Sequence, residues 1–263
     1  MTNLKELTSR HPSAHKGDSG RVLVIGGSKE YVGAVALAGI AALRAGCDVV
    51  TIAAPEKVAW AVNCLYPDLI TIKLQGDYIQ YKHLKEISSR IEKSDVILLG
   101  NGMGMNYETR KFCKELMKQY PKTLKIIDAD AIKMLSIHDI QNAIITPHAK
   151  EFEILLKNSN ISEKSIRKHI GSNVILKKGP TDTIISKNKI KSISGGNPGL
   201  AKAGTGDVLA GLCAGFLAQS KDLFASAVQA SKLSKTIGDI LLKKKKGYSF
   251  IASDMVNEIE RLI

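Results

Sequence analysis

Nine short aliphatic runs, the early ones separated by helix-patterned segments, limit this chain to very few folds. They fall at residues 21–25, 49–53, 69–73, 96–99, 125–128, 143–146, 173–177, 183–185 and near 190–193. Helix patterns cover 33–45, 55–63, 81–93 and 107–118, and three more begin near Asp207, Leu223 and Asp254. Aliphatic strands alternating with helices predict an α/β fold, with a mainly parallel central sheet covered by helices on both faces. Past about Asn173 the turns tighten, as at Gly179-Pro180, and antiparallel strands are expected toward the C-terminal part. With no repeat, linker or low-complexity stretch, residues 1–263 read as a single domain.

Ligands of open α/β sheets bind outside the carboxyl ends of the strands. The residues able to do chemistry fall there in five clusters: Gly26-Gly27-Ser28, Gly100-Asn101-Gly102-Met103-Gly104, Asp128-Ala129-Asp130, Thr146-Pro147-His148 and Lys178-Gly179-Pro180-Thr181. Asp128 and Asp130 suit either Mg²⁺ or the cap of a short helix around 131–135, with Asp130 the natural cap. His148 suits substrate contact or a structural role. Lys178 to Asp182 read as a plain β-turn in isolation, and as a phosphate or ribose contact beside the next feature.

That feature runs from Asn197 to Asp207 and contains Ala203-Gly204-Thr205-Gly206 just before an apolar run. It predicts a tight glycine turn opening a buried helix. Unpaired N–H groups and the helix dipole favour an anion there. Asp207 stands beside that anion hole as a candidate base for phosphoryl chemistry. The plainer reading is a helix start capped by Thr205 or Asp207.

Composition removes several classes. The Gly100 loop lacks G-x-G-x-x-G spacing and follows the fourth strand, which argues against a dinucleotide-binding dehydrogenase, and no G-x-x-x-x-G-K-[ST] P-loop occurs. The net charge is +13, with a Lys run at 243–246 that reads as solvated surface. Aromatic residues make up 5% of the chain, too few for base-stacking platforms, so nucleic-acid binding is a remote alternative. Four scattered cysteines (Cys47, Cys64, Cys113, Cys213) suggest neither a disulfide framework nor a zinc site. The first residues lack an apolar signal core, and the longest apolar stretch, 32–43, is too short for a bilayer, so a cytoplasmic protein without membrane partners is expected.

Taken in order, several segments resemble the ADP- or ATP-dependent NAD(P)H-hydrate dehydratases, which are ribokinase-like proteins. They are His15-Lys16-Gly17-Asp18-Ser19-Gly20, the run from Val22 to Ser28, Gly33-Ala34, and Ala41-Ala42-Leu43-Arg44-Ala45-Gly46, followed by Asp128-Ala129-Asp130-Ala131, Thr146-Pro147-His148 with Glu151, Lys178-Gly179 and the Gly-Thr-Gly-Asp turn. The resemblance implies repair of the S-epimer of NADH or NADPH hydrate. A nucleotide phosphorylates the C6 hydroxyl, and loss of phosphate restores NADH or NADPH. It makes Asp207 the base, and Ala34, Gly102, His148 and Asp207 the hydrate-binding residues. Lys178, Gly179, Pro180, Thr181, Asp182 and Gly206 become nucleotide-binding, while Ala203, Gly204, Thr205 and Gly206 form the phosphate turn. It further implies ADP or ATP with Mg²⁺ (no protein metal ligand assigned), a homotetramer, and a separate NAD(P)H-hydrate epimerase as functional partner.

One departure stands out. The family's loop usually reads Gly-Pro-Gly-Leu-Gly, whereas this chain has Gly100-Asn101-Gly102-Met103-Gly104, with a change of loop rigidity as the expected effect. The nearest alternative function is a ribokinase-like kinase of a small alcohol, of the hydroxymethylpyrimidine or hydroxyethylthiazole type. Such an enzyme would keep the same turn and release a stable phosphate ester.

Overall fold

The structure is a computed structural model that describes Ser13, His15 and residues 17–263; Lys16, in the first resemblance segment, lies outside the described residues. Among those residues the strands are β1 (Arg21–Ile25), β2 (Val49–Pro55), β3 (Ile70–Leu74), β4 (Val96–Leu99), β5 (Leu124–Ile127), β6 (Ala143–Ile145), β7 (Val174–Lys177), β8 (Asp182–Ile185) and β9 (Ile190–Ile193). The helices are α1 (Gly33–Arg44), α2 (Glu56–Leu65), α3 (His83–Glu92), α4 (Tyr107–Gln119), α5 (Ala129–Met134), α6 (Ala149–Ser159), α7 (Ile166–His169), α8 (Thr205–Ser220), α9 (Leu223–Lys244) and α10 (Ala252–Ile259).

All nine strands lie in one sheet, in the order β3-β2-β1-β4-β5-β6-β7-β8-β9. Pairing is parallel from β3 to β7 and antiparallel from β7 through β9, as the tightening turns predicted. Side chains alternate faces along a strand, so Val22 and Val24 enter one core while Leu23 and Ile25 enter the other. Both faces are covered, which is why these strands are continuous aliphatic runs. α1, α2, α8, α9 and α10 contribute to the first core, and α3 through α7 to the second.

Two details differ from expectation. β5 stops at Ile127, which frees Asp128 to leave the sheet and start α5. α6 was not anticipated. It is opened by a capping box in which the His148 ring accepts from the Glu151 N–H and the Glu151 carboxylate accepts from the His148 N–H. Its apolar stripe is only Phe152 and Leu155 with half-buried Leu156, too narrow to stand out in the sequence. The 243–246 run behaves as surface: Lys244 pairs with Glu258 at 2.6 Å and Lys245 with Asp254 at 3.3 Å.

The contact that positions the site is between α1 and α8. A Cβ at Gly211 would collide with the Ala38 carbonyl oxygen, and one at Gly215 would lie 2.6 Å from both the Ala42 oxygen and the Ala45 Cβ. Two glycines four apart notch α8, so the two backbones touch. Gly211→Ala forces the helices apart and lowers stability by about 1–3 kcal/mol. Thermal unfolding should show this as a fall of several degrees, and an unchanged midpoint would mean that the notch is not required.

Candidate active site

The strand order reverses between β2-β1 and β4-β5, which opens a crevice at the carboxyl ends of β1 and β4. The loops there are cross-tied. The Gly27 N–H donates to the Asn101 carbonyl (2.8 Å), the Gly104 N–H to Asp130 Oδ2 (2.9 Å), and the Lys178 N–H to the Pro147 carbonyl (2.8 Å). These bonds join the first three strand-end clusters to one another and the last two to each other, and Thr146 Oγ1, donating to Asp128, links the two groups so that all five form one rim.

At its centre is Asp128, whose side chain is 2% exposed. Its Oδ1 accepts from Thr146 Oγ1 (2.7 Å) and Lys178 Nζ (3.1 Å), and its Oδ2 from Asn101 Nδ2 (3.0 Å). Lys178 Nζ also lies 3.9 Å from Glu151 Oε2. Burial alone would lower the Lys178 pKa, but Asp128, Glu151 and Asp207 outweigh it and raise the pKa, so the ammonium stays charged.

Asp207 lies in the first turn of α8, with Oδ1 2.7 Å from Asn101 Nδ2. Burial and the Asp128 charge push its pKa up to about 7, while Asn101 and Lys178 pull the other way. A carboxylate that titrates near neutrality is matched to accepting a hydroxyl proton. Gly204, at φ +88°, forms the turn, and any Cβ there would lie 2.8 Å from Ala252 Cβ and Leu37 Cδ1. The Gly206 and Asp207 N–H groups sit in the first turn, where an α-helix supplies no carbonyl.

Beside the turn is a cavity of about 690 Å³. Lys178, Gly179, Pro180, Asp182 and Gly206 line it together with His148 and Thr205, so most of the expected nucleotide residues share one space. Lys235, 5% exposed on α9, donates to the carbonyls of Gly179 (3.1 Å), Pro180 (3.1 Å) and Gly195 (3.2 Å). It ties the two lips of the cavity together. Asp182 accepts from the Gly179 N–H (3.0 Å) and Ser231 Oγ (2.7 Å), which shapes the turn from inside.

Ala34 and Gly102 meet each other, since a Cβ at Gly102 would lie 3.1 Å from Ala34 Cβ, and Gly102 follows Asn101, whose amide reaches Asp207. Thr181 and Ala203 are exposed and lie outside the residues that line the cavity. The expected helix caps are corrected. Thr205 turns inward, its N–H donating to the Lys202 carbonyl and its hydroxyl lying 2.6 Å from the Leu200 oxygen. Neither it nor Asp207 caps α8. Asp130 does not cap α5; its carboxylate holds the Gly104 N–H and Lys133 Nζ (2.9 Å each). Among the described residues no three His, Cys, Asp or Glu side chains are placed to hold a metal ion. The departure at Asn101 has a larger consequence than loop rigidity, because its side chain reaches Asp207. Lys235 escaped sequence reasoning, and the Asn101 loop was singled out without the reach of its amide to Asp207. No helix among the described residues is long and apolar enough to cross a membrane.

Comparison with known proteins points to one family. The family model for NAD(P)H-hydrate dehydratase matches residues 22–261. The chain is 39% identical over 265 residues to the bifunctional NAD(P)H-hydrate repair enzyme Nnr of Methanocaldococcus jannaschii, covering 99% of this chain and 51% of that protein. It thus spans about half the length of that relative. It is 30% identical over 253 residues to the ADP-dependent (S)-NAD(P)H-hydrate dehydratase of Enterococcus faecalis, covering 91% of this chain and 84% of that one. A ribokinase-like superfamily protein from Enterococcus faecalis superposes with a TM-score of 0.84 at 27% identity, over 98% of this chain and 92% of the other.

Proposed function

The chain belongs to the NAD(P)H-hydrate dehydratase family, and from that premise we propose that it restores NADH and NADPH from their S-hydrates at the expense of ADP or ATP. The observation that carries this reading is Asp207. It is a half-buried carboxylate whose pKa is pushed up to about 7, in the first turn of α8 next to Gly206, and hydrogen-bonded to Asn101, the neighbour of Gly102.

The nucleotide occupies the 690 Å³ cavity, its terminal phosphate at the Gly206 and Asp207 N–H groups and beside Lys178. The hydrated nicotinamide lies against Ala34, Gly102 and His148. Asp207 accepts the C6 hydroxyl proton as that oxygen attacks the terminal phosphorus. The phosphoanhydride bond breaks, releasing AMP from ADP or ADP from ATP. The ring nitrogen lone pair then expels phosphate from C6, and loss of a proton from C5 completes the dihydropyridine.

Mg²⁺ would arrive with the nucleotide. The described side chains do not fit a protein-held ion, because Asp128 already accepts from Asn101, Thr146 and Lys178. A phosphate-bound Mg²⁺ that keeps its waters needs no such cage. The remaining parts of the proposal are a single-domain cytoplasmic homotetramer and a separate epimerase supplying the S-hydrate. That the Methanocaldococcus jannaschii relative is a bifunctional repair enzyme supports the pairing with a second repair activity.

Incubation with NADH hydrate and ADP or ATP tests the activity. Recovery of the dihydronicotinamide absorbance with stoichiometric phosphate release is expected. Accumulation of a stable phosphate ester, or no recovery with either nucleotide, would sink it.

A further inference from the structure

Asn101 lies in the loop after β4 and its side chain is completely buried. Its backbone is fixed because its carbonyl accepts from the Gly27 N–H at 2.8 Å. Its Nδ2 donates to Asp128 Oδ2 (3.0 Å) and to Asp207 Oδ1 (2.7 Å), one N–H for each carboxylate. Among the described residues its Oδ1 is buried without a hydrogen-bond partner. Turning the amide over would place that oxygen against two carboxylates, so the orientation is forced by charge. An unpartnered buried carbonyl is costly, and the fold accepts that cost to keep both N–H groups on the two acids.

We propose that Asn101 is a positioning residue that joins Asp128 and Asp207 into one unit, fixing Oδ1 of Asp207 and leaving Oδ2 free to take the hydroxyl proton. This rests on the function proposed above and adds a residue to it. Two ionised carboxylates repel and cannot hydrogen-bond each other. A neutral double donor between them holds both without adding charge, which Lys or Arg in that place would not do. Lys178 faces Asp128 from the β7 end, so each carboxylate keeps its own donors. The groups that bear on Asp207 are Asp128 and Asp130, which favour its protonated form, and Asn101 and Lys178, which favour its ionised form. Removing Asn101 leaves burial, Asp128 and Asp130 favouring the protonated form and Lys178 still opposing them, so the proton is held more tightly and the free base becomes scarcer at neutral pH.

The test uses Asn101→Leu, which removes the donor at similar volume, and Asn101→Ser, which keeps the protein folded if the leucine cannot. Two readouts are needed. The first is the ¹³C NMR titration of the Asp207 carboxyl in the ligand-free protein, its resonance identified by its loss in Asp207→Asn. The second is the pH profile of kcat/KM for NADH hydrate with ADP. The wild-type midpoint is expected near 7, where burial and Asp128 push it. In the variants it moves up by about one pH unit, so that activity at pH 7 falls about fivefold and the deficit narrows as pH rises past 9. ADP affinity stays at the wild-type value. An Asp207 midpoint and acid limb that stay where the wild type has them, in either folded variant, would overturn the role of Asn101. A midpoint that moves in a protein whose wild type dehydrates no hydrate leaves Asn101's hold on Asp207 intact and overturns the proposed activity instead.

Discussion

Asp207→Asn should lower kcat by about 10³-fold, because a general base of this kind contributes about 10²–10⁴ and the amide cannot accept a proton. The substitution is isosteric and leaves the Gly206 N–H, Lys178 and the Lys235 tie untouched, so calorimetric ADP affinity changes by no more than about threefold. Stability moves the other way. The folded pKa of Asp207, about 7, stands above its ordinary 3.8, so the folded protein holds this proton more tightly than the unfolded chain. Wild-type stability therefore declines as pH rises from about 4 to 7, and this share of it stays lost above 7. Asp207→Asn removes the ionised carboxylate and should melt at a higher temperature than wild type at pH 8, with the gap closing toward pH 4. A variant that turns over like wild type, or that melts lower at pH 8, contradicts this account.

Lys178→Met keeps most of the side-chain bulk and deletes the one cation that, among the described residues, contacts Asp128. Its Nζ stands 3.1 Å from Asp128 Oδ1, and a Cβ on Gly206 would lie 3.4 Å from it, so the same ammonium serves the buried acid and the phosphate turn. Two losses are expected. Breaking a buried ion pair on one side costs about 3–5 kcal/mol. Without the phosphate-facing charge, kcat/KM for the nucleotide falls by about 10²–10³-fold. The acid limb also moves up in pH, since Lys178 helps to keep Asp207 ionised. Differential scanning calorimetry and ADP titration separate the two, and unchanged ADP affinity would remove Lys178 from the phosphate site.

The strands were legible because a sheet covered on both faces must be aliphatic throughout, and β1, β4 and β9 match their predicted limits. The rim was legible for a related reason, since strand ends are where glycine, Asp and His interrupt the apolar runs. The glycine turn announced itself by density alone. What could not be read was pairing at a distance. Asn101 and Asp207 are 106 positions apart, and nothing around Asn101 marks its amide as the link between two acids. Lys235 sits within a helix where lysine normally reads as solvated surface, yet it bonds three backbone carbonyls of the cavity wall. α6 escaped because its capping box begins with His, which is an unusual cap beside Ser, Thr or Asp.

The glycine-notched contact of α1 and α8 has a kinetic meaning. α1 starts beside Ala34, where the hydrate is proposed to lie, and α8 starts at the phosphate turn and carries Asp207 in its first turn. Gly211 is only four residues beyond Asp207, about 6 Å along the axis. The spacing between phosphoryl donor and hydroxyl acceptor is therefore set when the two helices pack, before either ligand arrives. Much of the orientational entropy that two-substrate chemistry must otherwise lose at each turnover is removed once, at folding. A methyl group added at the notch would thus misalign the reactants while leaving each free to bind, and it would be felt as a slower step more than as a weaker complex.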